Sequence, residues 1–256
     1  MSSITVSIVS HGHGQDVAAL LEQLAQLRNR QLRRVVVTAN LPEADGPGAK
    51  RTGGWPFEVR KIDNAAPQGF GANHNQAFAE DSRLGPSDYF AVLNPDVRLI
   101  DDPFPALVAA LSQADAGCAY PVQIDADGKE QDHERALPSP TALLKRYGLS
   151  HHEVASGPPD WVNAAFLLFP RSLFERLGGF DTRYHMYCED VDLCLRIRLA
   201  GRRLICASQA RVVHRASRAT RRSGRHLLWH VASLWRLWNS GSYRDFKRLS
   251  RAHAHS

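Results

Sequence analysis

The chain has 256 residues, 43% apolar and 23% charged, which suits one α/β domain or two small ones. No stretch approaches the roughly 20 apolar residues that span a bilayer, and the N-terminus MSSITVSIVSHGHG lacks a basic leader. These features favour a cytoplasmic protein. The net charge of +6 comes from the tail, because residues 1–214 carry 22 Lys and Arg against 25 Asp and Glu, whereas residues 215–256 carry ten against one. Such a basic tail favours partners that carry phosphate.

Strands and helices alternate in the first half of the chain. Strands are predicted at residues 4–9, 33–39, 57–62 and 89–93, and helices at 15–28, after the glycine-rich turn near residue 69, and at 103–111. This order predicts a mostly parallel sheet covered by helices, with the ligand beyond the carboxyl ends of the strands. Three polar segments fall there: Ser10-His11-Gly12, Thr38-Ala39-Asn40 and Asn94-Pro95-Asp96.

The second half is less regular. Residues 121–160 contain five prolines and are predicted to be mostly loop. A strand at 161–169, a short helix at 171–179, a helix from about Glu189 to Gly201 and a hairpin at 203–214 are predicted to follow. No linker is evident, so we expect one compact domain with a basic C-terminal extension.

The four cysteines, Cys118, Cys188, Cys194 and Cys206, are scattered, and in a cytosolic protein we expect reduced thiols. His185, Cys188 and Cys194 are close in sequence, but their spacing matches no zinc-binding pattern.

Three features can be interpreted either structurally or functionally. The turn GFGANHNQAF can bring backbone N–H groups to a ligand or simply join a strand to a helix, and it lacks the Lys-Ser/Thr of an NTPase loop. Glu189, Asp190 and Asp192 can stabilise a helix N-terminus, with Asp192 pairing with Arg196, or supply a general base of raised pKa. His214, after a strand, becomes interesting only if the fold brings it near Asp96.

Taken in order, the segments SIVSHGHG, GFGANHNQAF, VLNPDVRL, DWVNAAFLLFPRSLFERLGGFDTRYHMYCEDVDLCLR and ARVVHRASR resemble the inverting family 2 glycosyltransferases of the GT-A type. The similarity is greatest to their rhamnosyltransferase-like branch and covers roughly residues 4–240. It implies a Rossmann-like GT-A domain at 1–214, with a nucleotide-sugar half at 1–120 and an acceptor half at 121–214. A basic closing loop and an amphipathic helix would occupy 215–256.

The resemblance also implies roles for individual residues. Asp190 matches the catalytic base, and Asp96 and His214 match the ligands of an Mn²⁺ or Mg²⁺ ion. Nucleotide or donor contacts are implied for Ser10, His11, Asn40, Asn64, Gly69, Phe70, Gly71, Asn73 and Asn94. Arg218 and Arg221 would close over the diphosphate, and Trp161, Asn163 and Glu189 would lie on the acceptor side. With one acid, this metal site should bind Mn²⁺ weakly unless the donor is present.

The sequence departs from the family at two places. An acid often stands beside the position of Asn40, where this chain has Ala39, which leaves recognition of the base open. Glycine is common in the stretch that here is Val162-Asn163-Ala164-Ala165, so we expect these side chains to narrow the acceptor pocket.

The implied reaction is the transfer of a sugar, rhamnose from dTDP-rhamnose as the first candidate, to a hydroxyl of a glycan or glycolipid in cell-surface polysaccharide synthesis. The donor could equally be a UDP- or GDP-sugar, and the acceptor a lipid-linked glycan at the inner face of a bacterial membrane. The alternatives are a non-catalytic nucleotide-sugar-binding relative and a nucleic-acid-binding protein. Nucleic acid is disfavoured because no binding motif is present and residues 1–214 are net acidic.

The tail also has two interpretations. Leu227, Val231, Leu234, Trp235 and Trp238 recur at helical spacing among basic residues. Such a helix can lie on an anionic membrane surface as a peripheral anchor. It can also pack its apolar face on the domain or on a second copy of the chain.

Overall fold

A computed structural model describes residues 2–43, 54–140, 158–214 and 224–253, the side chains of 252 and 253 excepted. The strands are β1 (Ile4–Ser10), β2 (Leu32–Ala39), β3 (Glu58–Asp63), β4 (Tyr89–Leu93), β5 (Val97–Leu99), β6 (Ala116–Ile124), β7 (Glu134–Arg135), β8 (Trp161–Val162), β9 (Phe166–Pro170) and β10 (Arg203–His214). The helices are α1 (Gly14–Gln26), α2 (Phe70–Arg83), α3 (Phe104–Leu111), α4 (Arg171–Arg176), α5 (Glu189–Leu199), α6 (Gly224–Trp238) and α7 (Gly241–His253).

Eight strands form one sheet in the order β3-β2-β1-β4-β9-β6-β10-β5. Strands β1 to β4 are parallel, and β6 and β10 are parallel to each other, whereas β9 runs antiparallel between β4 and β6 and β5 runs antiparallel at the edge. The prediction of a mostly parallel sheet flanked by helices is confirmed. The sheet is continuous across residue 120, because β6 spans the boundary expected between the two halves.

Helices cover both faces of this sheet, which explains why β1 and β2 are apolar along almost their whole length. One face packs on α1 and α3 through Leu20, Leu24 and Phe104. The other packs on α2, α4 and α5 through Ala77, Phe174 and Ile197. The carboxyl ends of the parallel strands remain as the rim on which ligands can bind.

Three details of the second half differ from the prediction. Strand β6 was not expected, because its second part, from Pro121, falls in the stretch 121–160 that was predicted to be mostly loop. The stretch 161–169 divides into β8 and β9, which belong to different sheets, with a turn at 163–165. Residues 203–214 form one strand, not a hairpin, and its register against β6 shifts between Ala207 and Arg211.

The C-terminal helices pack on α5. Leu234 and Leu237 of α6 and Tyr243 and Phe246 of α7 are buried in a cluster that includes Leu195. This packing agrees with the second interpretation of the tail. Within the described ranges, no helix is both long and apolar enough to cross a membrane.

A hydrogen bond joins α7 to the first turn of α5. Ser242 Oγ donates to Asp192 Oδ1 (2.6 Å), and Arg196 Nε donates to Asp192 Oδ2 (2.7 Å), the i,i+4 pair that the sequence predicted. Asp192 therefore has a structural role, and it is distinct from its neighbours Glu189 and Asp190.

Candidate active site

The fold brings together two side chains that are far apart in sequence. Asp96 follows β4, His214 ends β10, and His214 Nε2 lies 3.6 Å from Asp96 Oδ2. The condition that made His214 interesting is therefore met. Burial lowers the pKa of His214, against the raising effect of Asp96, and a neutral imidazole is the form that binds metals.

Gln123 orients His214, and sequence reasoning missed it. His214 Nδ1 lies 3.0 Å from Gln123 Oε1, while Gln123 Nε2 donates to Asn163 Oδ1 (2.7 Å). Because an amide oxygen can only accept, Nδ1 must carry the ring proton, which leaves the lone pair of Nε2 facing Asp96. The available signal was a glutamine in the otherwise apolar run Tyr120–Ile124, but that run was predicted to be a loop.

Asp190 and Glu189 occupy the first turn of α5. Burial raises the pKa of Asp190 despite hydrogen bonds from the backbone, and burial together with the charge of Asp190 raises the pKa of Glu189 well above its ordinary value. Glu189 is 6% exposed, and its Oε2 has no hydrogen-bond partner among the described residues. Such a pair has the properties expected of a proton acceptor near neutral pH.

The backbone before these acids is strained. Tyr187 (φ 71°) and Cys188 (φ 64°) are both left-handed, although neither is glycine. Unfavourable backbone of this kind concentrates at functional sites because the surrounding packing maintains it. The strained pair fixes the direction in which Asp190 enters the helix.

The turn at 163–165 connects the acid pair to the metal-type ligands. The backbone N–H of Ala164 lies close enough to Asp190 to act against the raised pKa of its carboxylate, and the carbonyl of Ala165 accepts from the N–H of Asn94 (2.8 Å). Asn163 holds Gln123, as described above. Its side chain thus serves the His214 side of the site, whereas the sequence placed it on the acceptor side.

Trp161 remains beside the acids. Its Nε1 donates to Ala136 O (2.9 Å), and the guanidinium carbon of Arg135 lies 5.2 Å from the centre of its ring. The charge of Arg135 also acts to lower the pKa of Asp190, so the three side chains share one region.

Three asparagines link the ends of β2 and β3 to α2. Asn64 Nδ2 donates to both Asn40 Oδ1 (2.9 Å) and Asn73 Oδ1 (2.6 Å), and Asn73 Nδ2 donates to Gly69 O (3.0 Å). Asn40 also donates to His11 Nδ1 (3.1 Å). Of the predicted nucleotide-contacting residues, the fold thus joins five by hydrogen bonds: His11, Asn40, Asn64, Gly69 and Asn73. Asn64 Oδ1 is buried and unpartnered among the described residues.

The glycines of the turn before α2 are required by packing. A Cβ on Gly69 would lie 2.6 Å from the carbonyl oxygen of His185, and one on Gly71 would lie 2.5 Å from the Cβ of Phe180. The N–H of Phe70 donates to the same His185 carbonyl (2.9 Å). These contacts hold the 180–188 segment, and hence the acid pair, against the asparagine network.

Known proteins provide the context for this geometry. No family model matches the sequence. The chain is 28% identical over 256 residues to the N-acetylglucosaminyl-diphospho-decaprenol L-rhamnosyltransferase of Mycobacterium tuberculosis, covering 91% of this chain and 82% of that protein. It is 29% identical over 264 residues to the rhamnosyltransferase WbbL of Escherichia coli, covering 96% and 98%.

Solved structures share the fold. GalNAc-T7 with UDP, GalNAc and Mn²⁺ has a TM-score of 0.61 at 16% identity, over 84% of this chain and 44% of that one. The mannosyltransferase PcManGT of Pyrobaculum calidifontis with GDP-Man and Mn²⁺ also scores 0.61, at 19% identity, over 91% and 64%. The chain therefore spans less than two thirds of either solved chain. The chain has the GT-A fold of these glycosyltransferases, and over most of its length it is similar to the two rhamnosyltransferases.

One acid of this glycosyltransferase escaped the sequence analysis. Glu43 Oε1 accepts from Ser10 Oγ (2.5 Å) and from the N–H of Gly12 (3.0 Å). It lies three residues after Asn40 and contacts the loop after β1, so it offers a carboxylate near the position where Ala39 lacks one. Nothing in its local pattern distinguished it from an ordinary loop acid.

The other departure has a structural explanation. Val162, Ala164 and Ala165 of this glycosyltransferase are buried in its core, which contradicts the expectation that they narrow an acceptor pocket. The two arginines expected to close over a diphosphate, Arg218 and Arg221, lie outside the described residues.

Proposed function

We propose that this glycosyltransferase moves a sugar from a nucleotide-sugar to a hydroxyl of a lipid-linked glycan, with inversion at the anomeric carbon. Rhamnose from a dTDP donor is the first candidate, by analogy with the two rhamnosyltransferase relatives. The observation that carries the proposal is the turn at 163–165, which contacts both Asp190 and the Asn94 motif, so that a base and a metal-type pair border the same site.

The side chains at the first of these positions fit a divalent cation. Asp96 and His214 offer an oxygen and an imidazole nitrogen 3.6 Å apart, and bonds of about 2.1 Å let both reach one ion. Mixed oxygen and imidazole ligands suit Mn²⁺ somewhat better than Mg²⁺. When bound, such an ion neutralises the charge that develops on the departing diphosphate.

At the second position, the Asp190 carboxylate would accept the proton of the acceptor hydroxyl as its oxygen attacks the anomeric carbon. The raised pKa of Asp190 makes it a stronger base than an exposed aspartate, and the N–H of Val191, which donates to Asp190 Oδ1 (2.8 Å), helps to fix its direction. Glu189 Oε2, buried and unpartnered among the described residues, can accept a hydrogen bond from a neighbouring hydroxyl of the acceptor.

The direct test is a transfer assay. Purified protein is incubated with Mn²⁺, a lipid-linked N-acetylglucosaminyl diphosphate acceptor and, in parallel, dTDP-rhamnose or UDP- and GDP-sugars. We expect product with one donor only, its loss on addition of a chelator, and inverted anomeric configuration by NMR. Donor binding without transfer or hydrolysis would instead support a non-catalytic relative, and nucleic-acid binding without donor binding would support the other alternative.

A thermal-shift screen narrows the choice of donor beforehand. The true donor at about 100 times its dissociation constant stabilises the protein by roughly 2.7 kcal/mol, while the other donors leave its melting temperature almost unchanged.

We further propose that α6 holds the enzyme on an anionic membrane surface, where a lipid-linked acceptor would be found. Its inner face is packed on the domain, yet Leu227, Leu228, Val231 and Trp235 are 50 to 72% exposed along its outer side. The exposed basic side chains of Arg225, Arg236, Arg244, Lys247 and Arg248 accompany them. Such a combination favours the interface of an anionic bilayer over water.

Deleting residues 240–256 is a poor test of this proposal, since it removes Tyr243 and Phe246 from a buried cluster. The double substitution Leu228→Gln and Trp235→Gln leaves that cluster intact. We expect it to reduce binding to phosphatidylglycerol vesicles at least tenfold, with Ile100→Gln, at a residue outside the C-terminal helices that is also 50% exposed, as the control. Equal binding by both variants would refute the membrane role.

A further inference from the structure

A group of potential metal ligands lies outside the site described above. A ring nitrogen of His133, a carboxylate oxygen of Glu134 and Sγ of Cys206 all lie within 4.8 Å of one another. They come from the start of β7 and from β10, two elements that belong to different sheets. None of the three enters the proposed transfer reaction.

The histidine of this group is prepared to act as a ligand. His133 is 1% exposed, and its Nδ1 lies 2.8 Å from the carbonyl oxygen of Gln131, so Nδ1 carries the proton. Nε2 therefore has a lone pair, and it has no hydrogen-bond partner among the described residues. A buried polar atom without a partner is rare and calls for a ligand, an ion or a water molecule. A carbonyl bound to Nδ1 is the arrangement that orients histidines toward metals.

The other two side chains complete a compatible set. Tyr120 Oη donates to Glu134 Oε1 (2.7 Å), which fixes that carboxylate, and Sγ of Cys206 lies within 4.8 Å of a Glu134 carboxylate oxygen. Glu134 and Cys206 are partly exposed, so an ion can enter from their side. Aspartate and histidine at the donor site suit harder ions, whereas a thiol with imidazole and carboxylate suits zinc.

From these contacts we propose that His133, Glu134 and Cys206 bind a zinc ion, with solvent in the fourth position. A tetrahedral zinc ion with bonds of about 2.0–2.3 Å holds its ligands roughly 3.5 Å apart, so atoms that now lie within 4.8 Å of one another need to approach by about 1.3 Å at most. On binding, the Cys206 thiol loses its proton to solvent and the sulfur bonds the metal.

The expected consequence is a clamp between β7 and β10 next to the donor site. Gln131, whose carbonyl holds His133, also donates through Nε2 to the carbonyl oxygen of His214 (2.6 Å). The zinc would therefore fix the segment that supports His214, without contacting the substrates.

Cobalt titration tests the proposal. Chelator-treated protein is titrated anaerobically with Co²⁺ in the Asp96→Asn background, which disables the proposed donor-metal site and keeps the two hypotheses separate. We expect one equivalent of Co²⁺ with thiolate-to-metal charge-transfer absorption, displaced by Zn²⁺. Cys206→Ser should abolish the absorption and Glu134→Gln should weaken Co²⁺ binding at least tenfold.

Cys118→Ala, which removes a buried thiol of β6 that is not in the group, is the matched control and should keep the absorption. Circular dichroism of each variant without metal shows whether it is folded. The proposal is wrong if excess Co²⁺ gives no charge-transfer absorption in folded protein, or if the absorption survives Cys206→Ser.

Discussion

The donor end and the acceptor end of the site differ in what they leave unpaired. At the donor end, Asn40, Asn64 and Asn73 form a neutral network in which one amide oxygen, that of Asn64, is without a partner among the described residues. At the acceptor end, two acids share a buried turn, and Glu189 Oε2 is unpaired within the same described ranges. The backbone before that turn is strained, whereas the other left-handed residue besides glycine in the described ranges, Arg28 (φ 51°), follows α1 and is not part of the asparagine network.

This difference suits the donor end to ligand binding and the acceptor end to the chemical step. A neutral network whose members bond one another requires little free energy to stay rigid. It can select a ligand that donates a hydrogen bond to its one unpaired amide oxygen. Buried, mutually repelling carboxylates and strained backbone destabilise the fold, but they provide a reactive base. Substitutions at the donor end should therefore weaken stability and binding together, while those at the acceptor end should lower the rate and can raise stability.

The largest effect is expected for Asp190→Asn, which keeps the shape of the side chain but removes the base. We expect kcat to fall by about 10²- to 10⁴-fold with donor affinity within a few-fold of wild type. Steady-state kinetics and donor titration by calorimetry measure the two quantities. Lost donor binding with an unchanged turnover rate would contradict the assignment of Asp190.

Gln123→Met should weaken the binding of the metal ion at the donor end. Without the amide oxygen, the Nδ1 proton of His214 has no acceptor and the ring loses its fixed tautomer, so we expect about a 10- to 100-fold higher Mn²⁺ concentration for half-maximal activity. Gln131→Ala removes a bond to the backbone of the same histidine and should have a smaller effect. An unchanged Mn²⁺ requirement in the first variant would exclude this role for Gln123.

Asn73→Ala probes the donor network. Asn73 is fully buried, and its loss removes the acceptor of the bond from Asn64 Nδ2 (2.6 Å) and one of the two hydrogen bonds to the carbonyl of Gly69, so we expect a decrease of about 1–3 kcal/mol in the free energy of unfolding. The KM for the donor should rise more than kcat falls. Urea denaturation measures the free energy of unfolding, and steady-state kinetics measure KM and kcat. A fall in kcat at constant KM would contradict the proposal that the donor end serves binding and the acceptor end serves chemistry.

Glu189→Gln should have the smallest effect. It should raise the free energy of unfolding, whereas Asn73→Ala should lower it. Because the pKa of Glu189 is raised in the folded protein, stability is lost as the pH rises from the ordinary glutamate pKa to the folded pKa, at about 1.4 kcal/mol for each pH unit between them. The variant should therefore match wild type near pH 4 and melt at a higher temperature at pH 8. A lower melting temperature at pH 8 would show that the charge of Glu189 is compensated in the fold.

The sequence predicted the donor half more completely than the rest. Strands β1 to β4 were anticipated because their apolar runs are bounded by polar segments, and those segments meet at one rim because parallel strands end on the same side. Asp96 and His214 could be paired only through family resemblance, since 118 positions separate them and β10 was mistaken for a hairpin. Gln123 and Glu43 were missed because their roles depend on tertiary neighbours, which no local periodicity encodes.

The contacts of α6 and α7 have a practical consequence. The ring of Trp229 in α6 lies 4.7 Å from that of His185, whose carbonyl holds Phe70 at the start of α2, and Ser242 of α7 bonds Asp192, two residues beyond Asp190. The pair of C-terminal helices, α6 and α7, therefore contacts residues that hold the donor end and the acceptor end of the site. A chain shortened before Ser242 to improve expression should be handled as an enzyme variant with altered kinetics, and hybrids with related transferases should exchange residues 180–253 as one block.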